Sequence, residues 1–140
     1  MRAKEYLKRI RKIDLMIRNR LMERQQWLDM ALSITAQSNG ERVQSSGRQQ
    51  KMADAIAEYL DIGNDDNGEI GRLKAERREI IATIEQLNIT EYDLLYKVYV
   101  QQLSFQEVAD SVDRSKDWVK TMHGRALQSV QQILNKRNGA

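Results

Sequence analysis

Apolar side chains return along one line through the first quarter of the chain. Leu7, Ile10, Ile17, Leu21, Leu28 and Leu32 recur at gaps of three, four or seven, with Ile13 and Met22 beside them. That spacing gathers side chains on one face of an α-helix, and neither glycine nor proline interrupts it between residues 3 and 34. The pattern predicts one long helix over 3–34. A seven-residue ladder runs through positions 7, 14, 21 and 28, and Asp14 is its polar rung. So long a single stripe must pack on something, either a partner chain, as in a coiled coil, or the middle of this one.

Residues 35–47, TAQSNGERVQSSG, are small, polar and glycine-containing, which marks a loop. Helical spacing resumes at Arg48 with Met52, Ile56, Tyr59 and Leu60, and the run GNDDNG at 63–68 then predicts a break. Its glycine spacing does not make a calcium loop. Counting back from Gly68 puts Gly63 where the first carboxylate ligand belongs and Lys74 where the last does. A third helix over 69–87 carries Ile70, Leu73, Ile80, Ile84 and Leu87, interrupted on the same stripe by Arg77. Glu76, Arg77, Arg78 and Glu79 read as a solvated face. The matching stripes of helices one and three predict an antiparallel hairpin or an intersubunit bundle. Leu7, Ile10, Ile17, Leu21, Leu28, Leu32, Leu73, Ile80, Ile84 and Leu87 are its candidate oligomerisation residues.

The last third is more specific. Thr90 is a candidate N-cap for a helix over 91–102, whose Leu94, Leu95, Val98 and Tyr99 share one face. Ser104 and Glu107 have the spacing of a capping box, ahead of inward-facing Phe105, Val108, Ala109 and Val112. Asp113 and Arg114 form a turn, and Ser115 caps a helix over 116–137 with Val119, Met122, Ala126, Leu127, Val130 and Ile133 as its core. A short helix, a three-residue turn and a longer capped helix make a helix-turn-helix, whose second helix enters the major groove of DNA. Ser115, Lys116, Asp117, Trp118, Lys120, Thr121 and Arg125 are the candidate DNA-binding residues. Thr121 can meet a base edge or a thymine methyl, Asp117 can accept from a cytosine amino group, and Arg125 is placed for a phosphate. His123 is expected on or near the same side. The rival reading is an ordinary helical corner with a wet basic face.

Composition narrows the rest. The 140 residues include no Cys, no Pro and one His, with 41% apolar and 31% charged side chains. Without cysteine there is neither a disulfide framework nor a thiolate zinc site, which favours a reducing cytoplasm, and one histidine excludes a polyhistidine metal cage. No apolar run approaches the roughly 20 residues that span a bilayer. No nucleophile–base pair, pocketed acid pair or glycine-rich phosphate loop points to an enzyme or a cofactor. The net charge of +3 divides into +5 over 1–34, −4 over 35–102 and +2 over 103–140. Two basic ends around an acidic middle allow a nucleic-acid partner. The basic run Lys4, Lys8, Arg9, Arg11 and Lys12 either extends a DNA footprint or is the wet face of a coiled coil.

The stretch 103–127, LSFQEVADSVDRSKDWVKTMHGRAL, resembles region 4 of sigma-70-type factors. Leu103, Ser104, Glu107, Val108, Ala109, Ser115, Lys116, Asp117, Val119, Lys120, Arg125, Ala126 and Leu127 match that pattern at thirteen of 25 positions. Asp113 stands in place of the usual turn glycine, and Trp118 in place of a commonly basic residue, which would alter base readout there. With the long N-terminal helix and the motif ERVQSS at 41–46, the whole chain is similar to small prophage-encoded ArpU/RinA-like late-transcription regulators of low-GC Gram-positive bacteria. The helical patterns and the resemblance together predict an all-α protein with a helical oligomerisation region (1–88) and a helix-turn-helix DNA-binding domain (89–140). The resemblance further implies a homodimer acting on double-stranded DNA in the cytoplasm of a bacterial host. Two alternatives stay open: a packaging adaptor that binds or resembles a phage terminase small subunit through the long helices, and a module that touches RNA polymerase through helix 91–102.

Overall fold

A computed structural model describes residues 2–38, 46–62 and 68–139. The protein is all-α: α1 (Ala3–Ser38), α2 (Ser46–Ile62), α3 (Glu69–Ile84), α4 (Ile89–Leu95), a π-helical turn (Tyr96–Val100), α5 (Phe105–Val112) and α6 (Lys116–Gly139). No strand occurs among the described residues, and none of their helices is long and apolar enough to cross a membrane. α1 runs four residues beyond the expected end at 34, and α2 begins two before Arg48. Most of the predicted loop over 35–47, with residues 41–45 of the ERVQSS motif, lies outside the described residues, as does nearly all of the break at 63–68. At its edge the Arg72 N–H bonds the Gly68 carbonyl at 3.2 Å.

The chain divides into two compact units, one of residues 1–14 with 76–140 and one of 15–75. The expected boundary at 88 is therefore displaced. The first turns of α1 and the second half of α3 belong with the C-terminal helices, because their apolar faces are buried there. Leu7, Ile10, Ile80, Ile84, Leu95, Val108, Val119 and Val130 are all nearly inaccessible in this unit. Each such aliphatic side chain contributes about 1.5–3 kcal/mol relative to exposure.

The two residues that break the apolar stripes of α1 and α3 meet each other. Arg77 Nε donates to Asp14 Oδ1 at 2.7 Å, and the neighbouring Arg9 pairs with Glu76. Glu76 and Arg77 are thus interhelical partners, a correction to their reading as a solvated face. Farther along the seam, buried Thr83 donates its hydroxyl proton to the Glu79 carbonyl at 3.1 Å and accepts from the Tyr6 hydroxyl at 3.0 Å. A hydroxyl has one proton to give, so Tyr6 must be the donor. Arg137 of α6 also reaches the Tyr6 oxygen, at 3.4 Å. The order 6 with 83 and 14 with 77 makes α1 and α3 antiparallel in this unit, as the hairpin reading expects.

α3 ends at Ile84, not 87, because the Gln86 and Leu87 N–H groups tighten onto the Thr83 and Ile84 carbonyls. The next cap is Asn88, not Thr90: its side chain accepts the Glu91 N–H at 2.9 Å, so Thr90 already lies inside the first turn. The expected helix over 91–102 is α-helical only to Leu95. A wide turn follows, closed by the Gln101 N–H on the Tyr96 carbonyl at 3.0 Å, and Gln102 reverses the chain at φ 59°.

The unit of residues 15–75 has a thinner core. Ala31, Ala55, Ile70 and Leu73 are buried, the Arg24 guanidinium lies 4.3 Å from the Tyr59 ring centroid, and Arg20 pairs with Glu23 and Glu69. Of the large apolar residues left exposed, Leu21 at 47%, Leu32 at 59% and Leu60 at 61% all belong to this unit.

Truncation should separate these contributions. Ile84→Ala, which empties a fully buried site, is expected to lower unfolding free energy by about 2–5 kcal/mol. Ser104→Ala, which removes only a helix cap, should cost about 1 kcal/mol. Urea denaturation followed by circular dichroism measures both.

Candidate nucleic-acid interface

The helix-turn-helix is built from its caps inward. The Ser104 Oγ accepts the Glu107 N–H at 3.1 Å while Glu107 Oε1 accepts the Ser104 N–H at 3.1 Å, a complete capping box. Those bonds, backbone first, hold the Glu107 carboxyl below its ordinary pKa. At the other end of α5, Asp113 adopts the left-handed conformation (φ 55°, ψ 50°), and the N–H groups of Asp113 and Arg114 converge on the Ala109 carbonyl. An aspartate tolerates this region better than most residues, which is why it can replace glycine here. Ser115 Oγ then accepts the Trp118 N–H at 3.1 Å and starts α6. Every bond across the three-residue turn is local, so its geometry follows from residues 104–118 alone.

Burial of Val119, Ala126, Val130 and Leu134 fixes the rotation of α6. Leu134 replaces part of the expected core, since Met122, Leu127 and Ile133 are only half-buried. On the opposite side two exposed rows run at four-residue spacing: Lys116, Lys120, Gly124 and Gln128, and beside them Asp117, Thr121 and Arg125. Six of the seven candidate DNA-binding residues, Ser115, Lys116, Asp117, Lys120, Thr121 and Arg125, are exposed. Gly124 and Gln128 share the first row and escaped the sequence reading. A glycine inside a helical pattern signals only a weak helix former, although the period of four from Lys116 would have found it.

Two expectations need correction. Trp118 is half-buried, with the Arg114 guanidinium 5.3 Å from its ring centroid, and it lines an apolar cleft of about 370 Å³ with Ile89, Leu94, Val108 and Val112. It turns toward the body of the domain because its large apolar surface finds packing there. His123 likewise faces inward. Its Nε2 lies 2.8 Å from the Tyr99 hydroxyl, its ring stacks on Tyr99 and tilts against Phe105 at 4.9 Å between centroids. Burial, then the charge of Lys4, lowers its pKa, while burial pushes Tyr99 up to about 12. A neutral phenol can therefore donate to the unprotonated Nε2.

The candidate oligomerisation residues differ in burial. Leu7, Ile10, Leu73, Ile80 and Ile84 are buried within the chain itself and are not available to a partner. Ile17, Leu28 and Leu87 are half-buried, and Leu21 and Leu32 are exposed. Among the described residues no cluster of His, Cys, Asp or Glu could hold a metal ion. No known protein family, curated protein or solved structure matches the chain.

His123 has a consequence for stability. Its folded pKa lies below the unfolded value of about 6.5, so the unfolded chain binds the extra proton first. Stability is then full above the unfolded pKa and falls as pH drops through it toward the folded one. Thermal unfolding at stepped pH between about 7.5 and 5.5 should show a falling midpoint in the wild type. A flatter profile is expected for His123→Gln, which cannot titrate.

Proposed function

We propose that the chain is a DNA-binding transcription regulator that reads the major groove with α6. Its phage or mobile-element origin is what the resemblance of 103–127 and of the general arrangement implies. The observation that carries the reading is the outward polar face of α6, where Lys116, Lys120 and Thr121 stand exposed directly after a turn capped on both sides. In a helix-turn-helix those positions meet base edges, while Arg125, two turns farther on, meets phosphate. Trp118 contributes by packing rather than by readout.

A single copy would bind weakly. Residues 104–125 hold four basic and four acidic side chains, so the motif brings no net attraction to DNA. Two tethered copies gain affinity through effective concentration, and the exposed Leu21 and Leu32 suit the dimer contact. Sedimentation should give twice the 16.3 kDa chain mass, and Leu21→Glu with Leu32→Glu should return it to one.

Selection of bound duplexes from a random-sequence library tests the reading. Enrichment of one motif by the wild type, weakened binding in Lys120→Ala and relaxed preference in Thr121→Ala are the expected results. An ordered side-chain contact to a base is worth about 1–3 kcal/mol of discrimination. Absence of any duplex binding together with retention of a phage terminase small subunit would replace this reading with the packaging adaptor.

A further inference from the structure

α6 carries a glycine that its own fold does not require. Gly124 is exposed, and a Cβ added there would meet nothing within 4 Å. Glycine inside a helix weakens it, so alanine would serve the fold better. A glycine without an internal reason, in the row that also holds Lys116, Lys120 and Gln128, fits the close approach of another backbone.

Beside that row lie the first turns of α1. Gln131 Oε1 accepts the Ala3 N–H at 2.8 Å, which ties the two helices together. Lys4 shares a cleft with Leu127 and Gln128, and its charge is felt at His123. Lys8 and Arg11 share another with Ser104 and Glu107 at the start of α5. Lys4, Lys8 and Arg11 are spaced to lie on one flank of α1 and are exposed. Arg9, by contrast, is taken up by Glu76. Residues 2–12 contain six basic side chains and one acidic, at the end of a helix where the macrodipole disfavours cations. Helix stability does not account for that excess.

We infer that the sugar–phosphate backbone of a DNA strand crosses α6 at Gly124, between Lys120 and a ridge of Lys4, Lys8 and Arg11 supplied by α1. This rests on the DNA-binding reading and adds to it the source of the positive charge that the helix-turn-helix lacks. Within the unit of residues 1–14 and 76–140, α1 is then a second DNA-contacting element as well as a packing one.

The test uses the full chain and a labelled random-sequence duplex, with binding followed by fluorescence anisotropy between about 50 and 200 mM salt. Gly124→Ala should raise the thermal midpoint by a few degrees and weaken binding several-fold, with Gly124→Ser weakening it as well. The triple variant Lys4→Ala, Lys8→Ala, Arg11→Ala should keep its helical circular dichroism and lower the slope of log affinity against log salt by about 2–3. Lys8→Gln alone should lower it by about 1. Unchanged binding in both Gly124 variants, or an unchanged salt slope in folded ridge variants, overturns the inference. If the wild type binds the duplex and Lys120→Ala weakens it while those variants do not, the DNA-binding reading stands without the ridge. A wild type that binds no duplex at the lowest salt overturns both.

Discussion

The buried stripe of α6 is the constraint on which the exposed polar face of that helix depends. Val119, Ala126, Val130 and Leu134 return at intervals of seven, four and four, and burying them leaves the helix one rotation about its axis. With that rotation set, Lys116, Lys120 and Gly124 face outward together, and Asp117, Thr121 and Arg125 form the adjoining row. The caps at Ser104 and Ser115 and the left-handed Asp113 set where α6 begins. Packing thus determines the direction of the face, and local hydrogen bonds determine its starting point.

Electrostatics distinguishes the parts of that surface. The helix-turn-helix segment, residues 104–125, has offsetting charges, four basic and four acidic. The basic excess resides in the first turns of α1, held against α6 by the Ala3 to Gln131 bond and by the Arg137, Tyr6 and Thr83 network. The basic excess and the exposed polar face of α6 belong to different segments of sequence, and the fold brings them into one unit. The same network explains Tyr6, a residue whose sequence context suggests no chemistry.

Much of the C-terminal unit was legible in the chain because its signals are short-range. The Ser104 and Glu107 capping box, the Asp113 turn and the Ser115 cap each depend on residues within about one helical turn, and each is present as read. The Asn88 cap was harder to assign, since Asn88 and Thr90 are both good capping residues two positions apart. The inward turn of Trp118 and His123 was not legible. Helical spacing places each beside the polar face, and only the neighbouring Arg114, Tyr99 and Phe105 draw them toward the domain.

Periodicity alone determined that the chain is helical and which side chains share a face, since an amphipathic stripe specifies a face without naming its partner. The tertiary structure decided the partners. Leu7, Ile10, Ile80 and Ile84 are buried within their own unit, whereas Leu21 and Leu32, on the same stripe in sequence, stay exposed. Asp14 and Arg77, which look like two separate flaws, become one ion pair because antiparallel packing brings them to the same level. A stripe has no information about what covers it. That depends on contacts between residues more than sixty positions apart in the chain, as Asp14 and Arg77 are.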